Sequence, residues 1–545
     1  MNRKIYPWLA AAFCMWIGLA SCNKSILDKQ PPMSYSDDVM WSDLRLVEAY
    51  VNARYWILPH FIDNSTKAST TGLSGASDEG YDHWNYENEF RFNLGQITPD
   101  YTGLDNWTDD YAYIRSCNIF FERISKVSGD TAWKNRLAGE MKFIRAWCYF
   151  DLMSRYGGVP LITKSYSITD TSFLVKRNTY DECLAFVSKE LDDALPLLPY
   201  QYNDANTGRI TKGAVLALKS RLWLYAASAL HNPAGDKARW QQAADAAKAV
   251  IDLAAQGYYS LDQRADYKQI FLDKKTPESI LSFGMNATYG DNYIDIYIYP
   301  NGSHGYSAYV PSQNMVDAFE MKSGKMITDA ASGYDPAHPY DNRDPRFYAN
   351  ILYNGATFKG RTLEYFTGGM DSPQSSVDNW NASFTGYNWR KYADESNNNL
   401  DGGSGQNFIM FRLAEFYLNY AEASFELGNE NTARQYLNLI RERASVHLPD
   451  ITATGTALRD AIRHERQIEL CFEGHRFYDV RRWKIAEVTD NLPLKRVSIT
   501  KQSDGTFTYT YLTLQDRKFN LNNYLFPIPK DEMNKNNLLV QNPNY

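Results

Sequence analysis

Residues 464–483 read HERQIELCFEGHRFYDVRRW, packing histidines, carboxylates and guanidiniums into one short run. Such a set could hold a metal or move protons. His464-Glu465 opens like the zinc-protease pattern H-E-x-x-H, but position 468 is Ile468, not a second histidine. Glu465 instead falls on the apolar stripe of a helix expected over 456–473, with Leu458, Ile462, Ile468 and Phe472. A carboxylate on an apolar face needs a partner. Arg441, Arg476, Arg481 and Arg482 are the nearby arginines, and we read a structural ion pair of Glu465 with Arg441 or Arg481. A different chemistry comes from rings in polar surroundings. Tyr81, Trp84 and Tyr86 lie in STKASTTGLSGASDEGYDHWNYENEFRFNLGQITPD, where a core role is not expected. Flat apolar sugar faces stack on such rings, and Asp78, Glu79, Asp82 and Arg91 offer partners for hydroxyls. Further on, YIDIYIY at 293–299 alternates strictly. The alternation predicts a half-buried strand with Ile294, Ile296 and Ile298 inward and Tyr293, Asp295, Tyr297 and Tyr299 outward. Tyr81, Trp84, Tyr293 and Tyr297 are expected to converge on a shallow aromatic platform edged by Asp78.

The elements that must position these residues read as mainly helical. In 409–445, Leu413, Phe416, Tyr417, Tyr420, Ala421, Ser424 and Leu427 share one face, Gly428-Asn429 breaks the pattern, and Ala433, Tyr436, Leu437, Ile440 and Ala444 resume it. That is a helix, a tight turn and an antiparallel helix, ordered as in a tetratricopeptide-type hairpin. Further helices are expected over 43–58, 105–127, 131–156, 178–195, 211–230 and 238–255, with Gly157-Gly158-Val159-Pro160 ending the third. Trp107 opens one of them, so packing competes with any ligand contact there. Helical periodicity fades between 256 and 408. No phosphate-binding loop, G-x-S-x-G elbow or EF-hand loop occurs, and no metal or cofactor is expected.

The chain of 545 residues carries a formal charge of −7, and −9 once Arg3 and Lys4 leave with residues 1–21, which hold no acid. A net acidic chain without basic runs argues against nucleic acid as partner. Residues 1–21 form a short basic start and an apolar stretch, Trp8 to Leu19, too short to span a bilayer. They end in LASC, which resembles a bacterial lipobox and implies cleavage before Cys22 and lipid attachment to its sulfur. Cys117, Cys148, Cys183 and Cys471 sit in helical patterns without a C-x-x-C pair and read as buried thiols.

ERQIELCFEGHRFYDVRRW after a helical hairpin, EMKFIRAWCYFDLMSRYGGVPLI, PSQNMVDAFEMKSGKMI, NRDPRFYANILYNG and the terminal YLFPIPKDEMNKNNLLVQNPNY together resemble the SusD/RagB family of nutrient-binding outer-membrane lipoproteins. The resemblance implies a helical-hairpin scaffold supporting an irregular domain of loops and short strands. It divides the chain into a signal at 1–21, an N-terminal helical region at 22–230, a hairpin completion and ligand-binding region at 231–408, and a C-terminal hairpin with the terminal motif at 409–545. It also implies ligand contacts from 72–107 and 285–310, with 370–390, which holds Trp380, as a third stretch. The implied function is non-enzymatic capture of an oligosaccharide on the cell surface and its delivery to a SusC-type TonB-dependent transporter. The alternatives are a peptide ligand, a glycan-degrading enzyme using a carboxylate pair, or a repeat scaffold that contacts only protein.

Overall fold

A computed structural model describes residues 37–61, 70–84, 88–167, 169–170, 174–285 and 292–545. The segment 1–21, Cys22 and Tyr86 lie outside the described residues. Ten helices form the scaffold: α1 Leu44–Asn52, α2 Trp107–Arg123, α3 Thr131–Tyr156, α4 Tyr180–Ala194, α5 Lys212–Ala227, α6 Lys237–Ala255, α7 Leu413–Glu426, α8 Glu430–Arg441, α9 Gly455–Glu469 and α10 His475–Arg482. Several of their starts follow from side chains that accept the first free amides. Asp43 caps α1, Asp130 caps α3, and Thr179 with Glu182 forms a capping box on α4. Gly157 ends α3 at φ +77°, and a Cβ on Gly158 would meet the Asn178 carbonyl at 2.1 Å, so the chain can turn back here only through glycine. The 43–58 helix is shorter than expected: α1 stops at Asn52 and tightens into a 3₁₀ turn, Ala53–Ile57.

From α2 to α6 each helix packs on the next, and α6 then packs on α7, joining the two ends of the scaffold across the irregular region. Small residues make the close approaches: Ala217, Ala226, Ala247, Ala421 and Ala423 are all fully buried. Between these helices the chain leaves and re-enters through an antiparallel pair, β2 Ser279–Phe283 with β4 Phe408–Arg412. Residues 408–412 are therefore a strand, not the first turn of a helix, and α7 begins only at Leu413. A second pair, β1 Gly80–Asp82 with β3 Tyr309–Pro311, brings the early loop onto the irregular region, with Tyr81 opposite Val310. A hairpin of β5 Leu494–Lys501 and β6 Phe507–Gln515 follows the last scaffold helices.

The segment 293–299 is not a strand. Ile294–Ile298 forms one helical turn, started by Asn292, whose Oδ1 accepts from the Ile294 amide at 3.1 Å. Asp295, fully buried, accepts from the Asp394 amide at 3.0 Å, Asn397 Nδ2 at 2.8 Å and Gln406 Nε2 at 2.7 Å. That buried anchor overrides the alternation: Ile294, Asp295, Ile296, Ile298 and Tyr299 are enclosed, and only half-buried Tyr293 and Tyr297, four residues apart, reach outward, at helical spacing.

The charges of 464–483 are consumed in docking the last helices. Glu465 accepts from Arg441 Nη1 at 2.8 Å and from Arg346, and is 1% exposed. Arg481 takes no part: it stands 3.5 Å from Asp490 and stacks its guanidinium 3.7 Å from the Phe477 ring centre. Its place beside Glu465 is filled by Arg346, far earlier in the chain. At the centre Arg412 uses every donor. Nε and Nη2 reach Glu473 at 2.8 and 2.7 Å, Nη1 reaches Glu278 at 2.9 Å and Glu469 at 2.7 Å, and Nη2 also bonds the Glu469 carbonyl at 2.7 Å. This arrangement links β4, α9 and the turn after it through buried, charge-assisted bonds.

Candidate functional site

Three stretches of chain meet beside the β1–β3 pair. The first is the end of β1. Its register is continued by the His83 amide, which bonds the Ala308 carbonyl at 2.8 Å, and Trp84 is turned out by Asp82, whose Oδ1 accepts from the Trp84 amide at 2.8 Å. The second is the Ile294–Ile298 turn and the chain that doubles back on it, where the Tyr306 and Ala308 amides bond the Ile296 and Tyr297 carbonyls at 2.6 and 2.7 Å. The third is 370–388. Asn301 ties it to the second by donating to the Met370 carbonyl at 3.2 Å and to the Asp378 carbonyl, and Asn388 donates to the Ile298 carbonyl at 2.9 Å.

These backbones bring rings together. Trp84 and Tyr297 meet edge to face, with centres 5.6 Å apart and planes at 84°. Tyr306 meets Tyr297 at 5.9 Å and 83°. His83 stacks on Phe384 at 4.5 Å and 12°, and its imidazole is held neutral because burial pushes its pKa down. Beyond them Asp378 accepts from the Trp380 and Asn381 amides at 3.0 and 3.1 Å, a local turn that leaves the Trp380 ring 76% exposed. Half-buried Trp84 and Tyr297, part-exposed Phe384 and exposed Trp380 thus form a graded aromatic surface. Such rings accept the apolar faces of a ligand, and the carbonyls and amides between them can meet hydroxyls.

The candidate residues fare differently. Trp84 and Tyr297 are in contact, and Trp380 stands on the third stretch. Tyr293 is half-buried at the start of the short helix. Tyr81 is 8% exposed and packs with Val310 and Leu494 in a small apolar cluster, because β1 turns it under the sheet pair; it supports the surface from below. Asp78 is not at a free edge. Both its oxygens are taken by Arg476, at 2.8 and 2.7 Å. Burial raises its carboxyl, but the guanidinium outweighs this and the net pKa is lowered. Trp107 is core, 3% exposed and edge to face with Tyr156. Sequence reasoning missed His83, Tyr306 and Phe384. Tyr306 and Phe384 carried a signal, as rings amid the polar stretches SHGYSAY and NASFTG.

Glu79, next to Asp78, is buried at 1% exposure; its Oε1 has no hydrogen-bond partner and its Oε2 meets only the Phe472 amide, at 3.4 Å. Burial, and then the Asp78 charge, push its carboxyl up to about 8. Among the described residues no group of three or more His, Cys, Asp or Glu is placed to hold a metal ion, and no helix is long and apolar enough to cross a membrane. Cys117, Cys148, Cys183 and Cys471 are free, buried thiols.

Comparison with known proteins places this architecture. The sequence model described as the SusD family matches residues 271–545, and one described as starch-binding, associating with outer membrane, matches 27–224. A SusD-like protein from Bacteroides fragilis superposes with a TM-score of 0.81 at 32% identity, over 95% of this chain and all of that one. A SusD-like carbohydrate-binding protein from the same species does so at 0.79 and 25%, over 92% of this chain and all of that one. A SusD-like protein of Formosa agariphila is 24% identical over 89% of this chain and 93% of its own length.

Proposed function

Because the chain belongs to the SusD/RagB family, we propose that it is a receptor that captures an oligosaccharide at the bacterial surface and hands it to a SusC-type TonB-dependent transporter. The observation that carries the reading is the convergence of three sequence-distant stretches on one aromatic surface, with Trp84 against Tyr297 and Trp380 standing free. The scaffold does not need those rings for its own helix pairing. The relatives support the ligand class: one is described as carbohydrate-binding, and the N-terminal model as starch-binding and associated with the outer membrane. The contacting residues are Trp84, Tyr297 and Trp380, with Tyr293 at the margin. Asp78 and Tyr81 hold the surface in place. The reading is of binding without turnover, since the carboxylates of 464–483 are spent on arginines.

Replacing one stacking ring should cost binding on the order of 1–3 kcal/mol, by analogy with bases stacked on aromatic side chains. Trp380→Ala is the clean test, because an exposed position shifts stability by about 0.5 kcal/mol or less. Isothermal calorimetry with a bound glycan, beside thermal melts of Trp380→Ala, Trp84→Ala and Tyr297→Ala, checks this. Unchanged affinity in all three variants would sink the proposal.

Anchoring has its own test. Cys22 is the cysteine in the lipobox-like LASC, and several acyl chains give stable membrane attachment. Cys22→Ala should move the protein from the outer-membrane fraction to the soluble fraction in cells lacking the transporter. Retention in the membrane there would refute lipidation at this position.

A further inference from the structure

We infer that a cavity inside the scaffold is a second binding site, for a small hydroxycarboxylate, distinct from the aromatic surface. The cavity, of about 100 Å³, lies where α3, α5 and β4 meet the chain after α1 and the start of α10. A single water needs only about 10–15 Å³, so the space admits a small molecule. Its walls combine rings, Trp147, Phe150, Tyr225 and Tyr478, with a few buried polar groups, the make-up of a small-molecule pocket.

Every carboxylate oxygen on this lining already has a donor. Asp151 accepts from Arg155 Nη1 and from Asn106 Nδ2 at 2.9 Å. Glu473 accepts from Lys391 at 2.6 Å and from Arg412 at 2.7 and 2.8 Å. The donors are not all used. Arg155 gives Nε to the Leu104 carbonyl at 3.1 Å and Nη1 to Asp151. Arg221 gives Nε and Nη2 to Glu415, at 2.8 and 2.7 Å, and Nη2 also reaches the Met410 carbonyl at 3.0 Å. Among the described residues, none accepts from Arg155 Nη2 or Arg221 Nη1. His475 turns Nδ1 to Arg466 Nη2 at 3.3 Å, which leaves its proton on Nε2, and no described residue accepts that proton either. All three side chains are more than nine-tenths buried. Burial, and then the charges of Arg221, Arg466, Arg412 and Lys391, push the His475 pKa well below its ordinary value, and the same charges favour an anion beside it. Three N–H groups from three elements suit the two oxygens of a carboxylate. Two acceptors on the lining also lack partners: Asn106 Oδ1, and His60 Nε2, whose Nδ1 faces the Leu58 carbonyl at 2.9 Å. They need a donor, which a hydroxyl on the same ligand supplies.

Isothermal calorimetry of the full chain in non-ionic detergent tests this with glycolate, lactate and glycerate at constant ionic strength. At least one should bind, at one site per chain. Acetate should bind about three- to tenfold more weakly for want of the hydroxyl. Ethylene glycol, which lacks the anion, should not bind. Arg155→Lys and Arg221→Lys keep a charge opposite Asp151 and Glu415 but remove Nη2 and Nη1, and each should weaken binding at least about tenfold. A crystal structure of the wild-type chain grown with the tightest probe decides the case in which a variant does not fold. The probe's carboxylate should then lie within hydrogen-bond distance of Arg155, Arg221 and His475. Ordered water alone in the cavity, no heat from any probe, or binding unchanged in both lysine variants overturns the inference. Acetate bound as tightly as glycolate overturns the place given to the hydroxyl.

Discussion

Arg412→Ala is expected to destabilise the protein by about 3–5 kcal/mol, the cost of removing one partner from a buried ionic cluster. The side chain is 1% exposed, and all its donors are directed at Glu473, Glu278 and Glu469. Without it the three carboxylates remain buried and share what Arg443, Arg346 and Lys391 can still supply. The loss is also topological. Arg412 ends β4 where the irregular region rejoins the scaffold, so its bonds hold that junction to α9. Urea denaturation checks the magnitude, with Arg45→Ala as control, since the Arg45 side chain is 81% exposed and a surface pair contributes little. A loss below about 1 kcal/mol would mean that the cluster relaxes around the gap.

Glu79→Gln is expected to stabilise the protein, and to do so more strongly as pH rises. The Glu79 carboxyl titrates near 4.5 when free and is pushed up to about 8 in the folded protein. Between those values the folded state binds more protons than the unfolded one, so wild-type stability falls as pH increases through this window. At pH 7 the penalty is on the order of 3 kcal/mol. Glutamine keeps the shape of the protonated acid and cannot ionise. The difference in melting temperature between variant and wild type should therefore be small near pH 4.5, grow to pH 8 and level off above it. A difference independent of pH would show that Glu79 is ionised in the fold, held by a partner other than the Phe472 amide.

Much of this architecture was legible because it is repetitive. Leu413, Phe416, Ala421 and Ser424 fall at helical spacing and are buried on α7; Gly428 turns the chain at φ +92°, and α8 follows. Glu465 could be recognised as buried because a carboxylate interrupted an apolar stripe. Its second partner could not, since nothing local connects Arg346 to it. Arg481 was misassigned for the complementary reason: proximity in sequence cannot distinguish Glu465 from Asp490 as partner. The aromatic surface was half legible. Trp84, Tyr297 and Trp380 stand out as rings in polar or irregular sequence. Tyr81 does too, yet β1 turns it under, and strand pairing over a gap of more than two hundred residues leaves no periodic trace. The alternation of 293–299 misled because a segment enclosed at all but Tyr293 and Tyr297 obeys its anchors rather than a solvent boundary. Asp295, bonded from three directions, sets that conformation.

The bond between Asp78 and Arg476 joins residues 398 apart, and with Glu79 against the Phe472 amide it fastens the early loop to the last scaffold turn. A protein delivered N-terminus first makes Asp78 early, but its Arg476 partner arrives only after α9. The placing of this loop is expected late in folding, since contacts so distant in sequence form slowly. Loss of the last seventy or so residues would remove this anchor while sparing Trp84, Tyr297 and Trp380. Along the direction of synthesis, that salt bridge makes the anchoring of the early loop depend on a chain made at least as far as Arg476.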